Sequence, residues 1–275
     1  MEVHKTCKVN GFSLAYKRKG KGEIVLLIHG ITTWSFIFSE LIESLSKKYD
    51  VIAPDLLGCG WSDKPANEDL SIKNHAAIIK SFADELGLDK FHLAGHDLGG
   101  GIGQIFTVNN RSRVLTLSLI NSVAYDFWPV QPIIAMRTPI IRQLAMASLD
   151  LGTFKMIVRR GLFHKDILTP KLMDQFWLPM KSKEGRKAFL RFAECLDNKH
   201  LLEISDNLAS LSLPVLILRG DSDIYLSSSI AEKLHEEIKT SQLERISSGG
   251  HYIMLDEPVW LTERLTSFFD ESRKK

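Results

Sequence analysis

The pentapeptide Gly95-His96-Asp97-Leu98-Gly99 sets a carboxylate among small residues. It follows the apolar run Phe91-His92-Leu93-Ala94 and opens a Gly-rich, helix-like segment from Gly99 to Val108. Such a junction reads as a nucleophile elbow, because the small residues permit a turn so tight that the central side chain is thrust out at the helix start. Serine is the usual occupant, and here it is Asp97. A carboxylate needs no base to activate it, so the chemistry it points to is direct attack of an anion on an electrophile. The plainer reading is a helix N-cap, a role that suits Asp because its oxygen accepts amide hydrogen bonds. Two other segments carry complementary groups. Leu216-Ile217-Leu218-Arg219-Gly220-Asp221-Ser222-Asp223 is an apolar run entering an acidic loop, and Ser248-Gly249-Gly250-His251 precedes the last helix. Asp223 is the acid best placed to orient His251, with Asp221 and Asp126 as competitors.

These residues need a scaffold, and the chain supplies β-like runs alternating with helix-like ones. Val3 to Val9 and Phe12 to Arg18 flank Asn10-Gly11, a dipeptide that favours a hairpin turn. Ile24 to Ile28 is apolar throughout, as a parallel strand covered on both faces must be. Ser35 to Ser46 reads as helix, Val51 to Ala53 as strand, Ile72 to Leu86 as an amphipathic helix stopped by Gly87, and Val114 to Ile120 as strand. After Val215 to Leu218 come helix Ser227 to Lys239, strand Gln242 to Ile246 and helix Pro258 to Phe269. A hairpin followed by βαβ units predicts a mostly parallel eight-stranded sheet with helices on both faces. Between Ile120 and Val215 only helices are expected: Arg137 to Ser148, Thr153 to Arg160, Pro170 to Phe176, Lys183 to Leu196 and His200 to Ala209. An all-helical insertion there is best placed as a cap over the carboxyl ends of the strands, where open α/β sheets bind ligands. The expected organisation is a core of residues 1–123 and 213–275 with a helical cap of 124–212.

The 275 residues carry a net charge of +2, with 44% apolar and 25% charged side chains, ordinary values for a globular protein. The basic residues are scattered, so no nucleic-acid surface is expected. Three well-separated cysteines, Cys7, Cys59 and Cys195, imply neither a disulfide framework nor a zinc site. With no apolar leader and no run of spanning length, a soluble cytoplasmic protein without membrane, metal or cofactor is the expectation. Oligomeric state is not legible.

Taken with His29-Gly30, Asp55-Leu56-Leu57-Gly58-Cys59-Gly60-Trp61-Ser62, Gly220-Asp221-Ser222-Asp223 and Gly250-His251, the elbow resembles that of the capped α/β-hydrolases. The branch is the one holding epoxide hydrolases, haloalkane dehalogenases and fluoroacetate dehalogenases, and the resemblance spans nearly the whole chain. It implies an Asp97–His251–Asp223 triad, in the chain order of that fold. Asp97 would form an alkyl-enzyme ester, and His251 would activate the water that hydrolyses it. The backbone N–H groups of Leu98 and Ile31 would form the oxyanion hole. His29 and His96 are structural in this reading, and Cys59 is turn filler.

On substrate, the chain departs from each subfamily. Haloalkane dehalogenases carry Trp after the nucleophile and often Asn after His-Gly, where this chain has Leu98 and Ile31. Fluoroacetate dehalogenases carry Arg after the nucleophile and three residues later, here Leu98 and Gly101. The two cap tyrosines of epoxide hydrolases are missing, leaving His164 with Tyr125 as a substitute pair. Trp34, Trp128 and Trp177 are candidate leaving-group donors, and Phe36 with the Phe/Met/Leu-rich cap suggests an apolar pocket. The expected partner is a small uncharged organic electrophile, an epoxide or a carbon–halogen compound, together with water. An ester, lactone or carbon–carbon bond hydrolase and a non-enzymatic ligand-binding relative are the alternatives.

Overall fold

The alternating residues of β3 (Ile24–Ile28) fix the layering: Leu26 and Ile28 enter one hydrophobic cluster, Val25 and Leu27 the other. The computed structural model describes residues 4–127 and 152–273. The remaining strands are β1 (Lys5–Val9), β2 (Phe12–Gly20), β4 (Asp50–Pro54), β5 (Phe91–Asp97), β6 (Val114–Ser122), β7 (Val215–Gly220) and β8 (Ser241–Ile246). They form one eight-stranded sheet in the order β1-β2-β4-β3-β5-β6-β7-β8. The pairings β1–β2 and β2–β4 are antiparallel and the rest parallel. Asn10 and Gly11 both take positive φ, 51° and 87°, as the expected hairpin turn requires.

On one face lie α2 (Ile72–Glu85), α3 (Leu98–Asn109) and α9 (Ser228–Glu237), burying Ile79, Phe82, Ile102, Phe106 and Leu234. On the other lie α1 (Ser39–Leu45) and α11 (Pro258–Ser272), burying Leu41, Leu265 and Phe269. Between β6 and β7 the described residues form helices α4 (Phe154–Gly161), α5 (Pro170–Trp177), α6 (Lys183–Glu194), α7 (Lys199–Leu202) and α8 (Ser205–Ala209), with no strand among them. Thr169 caps α5 by accepting from the Leu172 N–H at 3.2 Å, with proline at the first helical position. The helix expected over 137–148, and Trp128, lie outside the described residues.

Beyond shifts of a few residues at element ends, the structure departs from the expectation at three points. The helix expected from His200 to Ala209 is broken into α7 and α8, because the Ser205 hydroxyl donates to the Leu202 carbonyl that a continuous helix would use. Ser35 to Phe38 is a 3₁₀ turn ahead of α1 rather than its first turn. A short helix absent from the sequence reading, α10 (Ile253–Asp256), follows His251. It stops because Pro258 pushes Glu257 out of the helical region, to φ −134° and ψ 56°.

Candidate active site

Asp97 ends β5 and begins α3 with φ 53° and ψ −120°, a conformation that costs a non-glycine residue on the order of 1–3 kcal/mol. Its neighbours make that turn possible. A Cβ on Gly99 would stand 2.1 Å from the Ile28 carbonyl oxygen, and one on Gly30 would stand 2.3 Å from Asp97 Oδ2. Helix α3 therefore seats directly on β3, and the loop after β3 lies against the carboxylate. Asp97 is no N-cap: its side chain makes no capping bond, and its φ is far from the extended value a cap adopts. Instead Oδ2 accepts from the Ile31 N–H at 3.2 Å. Burial raises the Asp97 pKa, opposed by the charge of His251 and the backbone amides of Leu98 and Ile31, and the net shift is upward.

His251 faces this carboxylate from the loop after β8. Its Nδ1–H donates to Asp223 Oδ2 at 3.0 Å, which leaves Nε2 to handle protons. Asp223 is completed by the N–H groups of Tyr225 at 2.8 Å and Leu226 at 3.2 Å, both donating to Oδ1. Burial disfavours the Asp223 anion, but the His251 charge and hydrogen bond, then Arg219, reverse the balance and lower its pKa. Burial pulls the His251 imidazole downward, whereas Asp223 and then Asp97 pull it up more strongly, so its pKa is raised.

Three buried residues that the sequence reading passed over hold this arrangement. Asn121 Nδ2 donates to the carbonyls of Gly250 at 2.8 Å and His251 at 3.1 Å, while its Oδ1 accepts from the Gly220 N–H at 3.0 Å. Arg219 NH1 reaches Asp223 Oδ2 at 3.3 Å. Asp256 accepts from the N–H of Gly250 at 2.9 Å and from those of Phe163 and His164 at 3.0 and 2.9 Å. The available signals were a polar residue closing each of two apolar strands, Asn121 in β6 and Arg219 in β7; nothing local marks Asp256.

The remaining candidates fall in several places. His29 Nδ1–H donates to the Gly30 carbonyl at 2.8 Å and its Nε2 accepts from the Leu56 N–H at 2.9 Å, both backbone partners. His96 Nε2–H donates to the His251 carbonyl at 2.8 Å, and burial, then the His251 charge, push its pKa down to about 3. The Cys59 thiol is pushed up to about 12 by burial and then Asp55, so it is no thiolate. Trp34 donates its indole N–H to the Gln175 carbonyl at 2.8 Å. With Phe36, Trp61, Lys17 and Leu178 it lines a groove of about 1030 Å³ whose lining includes neither Asp97 nor His251. Phe36 packs on Phe176, and Phe176 on Tyr252, each with ring centroids 5.0 Å apart, and Tyr252 stacks edge-on against His251 at 5.0 Å. Trp177 packs on Phe154 at 5.5 Å. Tyr125 and His164 are not brought together: Lys233 lies 4.3 Å over the Tyr125 ring, whereas His164 Nε2 is 3.2 Å from Glu257.

Among the described residues, no group of three His, Cys, Asp or Glu side chains is placed to hold a metal ion, and no helix is long and apolar enough to cross a membrane. The arrangement offers a fixed anion beside an amide donor, with a carboxylate-oriented imidazole facing it. The sequence profile of the alpha/beta hydrolase fold family matches residues 23–258. A cis-3-alkyl-4-alkyloxetan-2-one decarboxylase of Shewanella oneidensis is 27% identical over 96% of this chain and 87% of its own length. Haloalkane dehalogenase 2 of Mycobacterium tuberculosis is 39% identical over a shorter stretch, 42% of this chain and 39% of that protein. The crystal structure of haloalkane dehalogenase DbeA from Bradyrhizobium elkani superimposes with a TM-score of 0.88 at 21% identity, covering 99% of both chains.

Proposed function

The chain belongs to the alpha/beta hydrolase fold family, and on that premise we propose that it hydrolyses a small apolar electrophile through a covalent ester on Asp97. The observation that carries this reading is the bond from the Ile31 N–H to Asp97 Oδ2. It commits one carboxylate oxygen to an amide and leaves Oδ1 to attack. In the first step Oδ1 forms a bond to carbon while the carbon–leaving group bond breaks, its electron pair departing as halide or as a ring oxygen. In the second, His251 Nε2 takes a proton from water and the resulting hydroxide adds to the Asp97 carbonyl carbon. The oxyanion is held by the N–H groups of Ile31 and Leu98, donors worth roughly 3–4 kcal/mol each in other hydrolases. Collapse releases the alcohol, which receives the proton from His251. The second water proton, left on the Asp97 carboxyl, passes to solvent when halide has departed or to the ring oxyanion when a ring has opened, and this regenerates the carboxylate. General-base help of this kind contributes about 10²–10⁴-fold. Forming the ester also removes the Asp97 charge that helps hold the His251 pKa up, so the imidazole becomes a free base when the second step needs one.

Within this class, strained rings are favoured over haloalkanes. The side chains flanking Asp97 on the amide side, Leu98 and Ile31, have no donor for a departing halide, and the Trp34 indole N–H is committed to Gln175. A ring oxygen stays tethered as it leaves, and the relative matched over most of its length is named for a four-membered lactone. We place the apolar wall of the pocket on Phe36, Phe176 and Tyr252, with Trp177, Tyr125 and His164 outside the first layer around Asp97.

The test is intact mass of the His251→Gln protein after exposure to epoxides, haloalkanes and a cis-dialkyl oxetan-2-one. A gain equal to a whole ring compound, mapped to Asp97, is the expected result. A gain of an alkyl group without its halogen keeps the covalent mechanism and reassigns the substrate to haloalkanes. No adduct from any of the three overturns the covalent reading and leaves an ester hydrolase or a binding protein.

A further inference from the structure

The oxygen of Asp223 that accepts from His251 is not dedicated to it. Arg219 NH1 reaches the same Oδ2 at 3.3 Å, and its NH2 donates to the carbonyls of Asp223 at 3.1 Å and Leu226 at 2.7 Å. The guanidinium comes from the penultimate residue of β7, four residues before Asp223, and is only 3% exposed. An arginine is seldom fully buried unless it is paired, and burying one is costly, so its retention beside the orienting acid calls for a role. The bonds to two carbonyls brace the 223–226 loop, and the bond to Oδ2 draws off part of the negative charge that His251 sees.

We propose that Arg219 is a positioning residue that fixes the Asp223 loop and restrains the basicity of His251, and this rests on the reading of His251 as the base. An Asp–His pair without a competing cation would hold the imidazolium too tightly. A base that stays protonated cannot take the proton of water. With Arg219 on the shared oxygen, His251 is oriented by Asp223 yet remains deprotonable.

The charged and titratable groups around the pair define what else can move it. Facing His251 are Asp223 and Arg219 from the β7 end, Asp97 and His96 from β5, Tyr225 from the acidic loop and its neighbour Tyr252. Facing Arg219 are Asp223 and Asp221 from its own loop, Arg245 from β8 and Glu232 from α9. Among the described residues, Arg219 is the cation placed on the His251 acceptor, and its charge acts to lower the His251 pKa.

The test is the titration of His251 by long-range ¹H–¹⁵N NMR of histidine-labelled protein, with the signal assigned by loss in His251→Gln. Arg219→Gln removes the charge while keeping amide donors for the loop carbonyls. Its His251 midpoint is expected to rise by about one pH unit, the low end of what a close charge does. Arg219→Lys keeps the charge and is expected to hold the midpoint within about 0.3 unit while melting earlier, because an ammonium cannot span all three oxygens. A folded Gln variant with an unmoved midpoint overturns the proposal. Should Gln prevent folding, a Lys variant shifted by a full unit overturns it, and one that stays in place supports it. The readout is independent of turnover: a normal Arg219 shift with no mass adduct would count against the Asp97 chemistry alone, and an adduct without a shift against Arg219 alone.

Discussion

Asn121 holds the backbone of His251 in place: its Nδ2 donates to the His251 carbonyl at 3.1 Å from the end of a different strand. His96 donates to the same oxygen at 2.8 Å, so the base is held by its main chain as well as by Asp223. Asn121→Ala removes three bonds at once and leaves the Gly220 N–H without its acceptor. A displaced base slows hydrolysis of the ester by up to about 10²-fold, so kcat should fall that far. KM should fall with it as the ester accumulates, leaving kcat/KM nearly unchanged. Steady-state kinetics on whichever compound alkylates Asp97 checks this; a rise confined to KM would place Asn121 at the substrate instead.

Asp97→Asn should abolish turnover and stabilise the fold. The folded-state pKa of Asp97 is raised, so the ionised carboxylate is a burden to the native state. That burden is absent below the ordinary carboxylate value, grows as pH rises toward the folded pKa and is constant above it. Removing it should add on the order of 1 kcal/mol, or about 2–4 °C in Tm, near neutral pH. The gain should shrink as pH falls toward the ordinary value, as scanning calorimetry at several pH values can show.

The same variant serves as a neutral mimic of the ester. Of the groups that raise the His251 pKa, Asp223 remains and Asp97 is silenced, so the His251 midpoint should lie lower in Asp97→Asn than in wild type. NMR titration of both proteins reads this directly, and an equal or higher midpoint would refute the idea that forming the ester frees the base.

Two glycines of one helix should respond in opposite directions to alanine. At Gly99 the added carbon meets the Ile28 carbonyl oxygen at 2.1 Å, a contact that backbone cannot relieve cheaply. The cost is expected near the upper end of overpacking, about 3 kcal/mol. At Gly103 the nearest atoms are Leu117 Cδ1 at 3.5 Å and Leu93 Cδ2 at 3.6 Å, ordinary contacts. There alanine should stabilise by about 0.4–1 kcal/mol through the unfolded chain. Urea unfolding of the two variants decides it.

The elbow was readable because its constraint is local: closely spaced glycines and one acid are what a strand-to-helix turn of this tightness demands. The strands were readable because two-sided burial leaves continuous apolar runs such as Ile24 to Ile28. Asn121, Arg219 and Asp256 were not, since their roles consist of bonds to backbone far along the chain, and a backbone acceptor leaves no trace in residue type. Leaving-group donors were the least legible. Trp34 looked suited to that task until its N–H was found on the Gln175 carbonyl.

Asp256 joins the helical insertion to the loop that carries the base, accepting from Gly250 on one side and from Phe163 and His164 on the other. Gly161 abuts the same place so closely that a Cβ there would stand 2.7 Å from the Tyr252 ring. Residues 161–164 are thus an anchored seam between the helical segment and the loop of the base. An insertion transplanted from a relative will fit only if its backbone presents two amides to Asp256 and a glycine to Tyr252. Exchanging the insertion of this chain is therefore a matter of matching that seam first and choosing pocket side chains second.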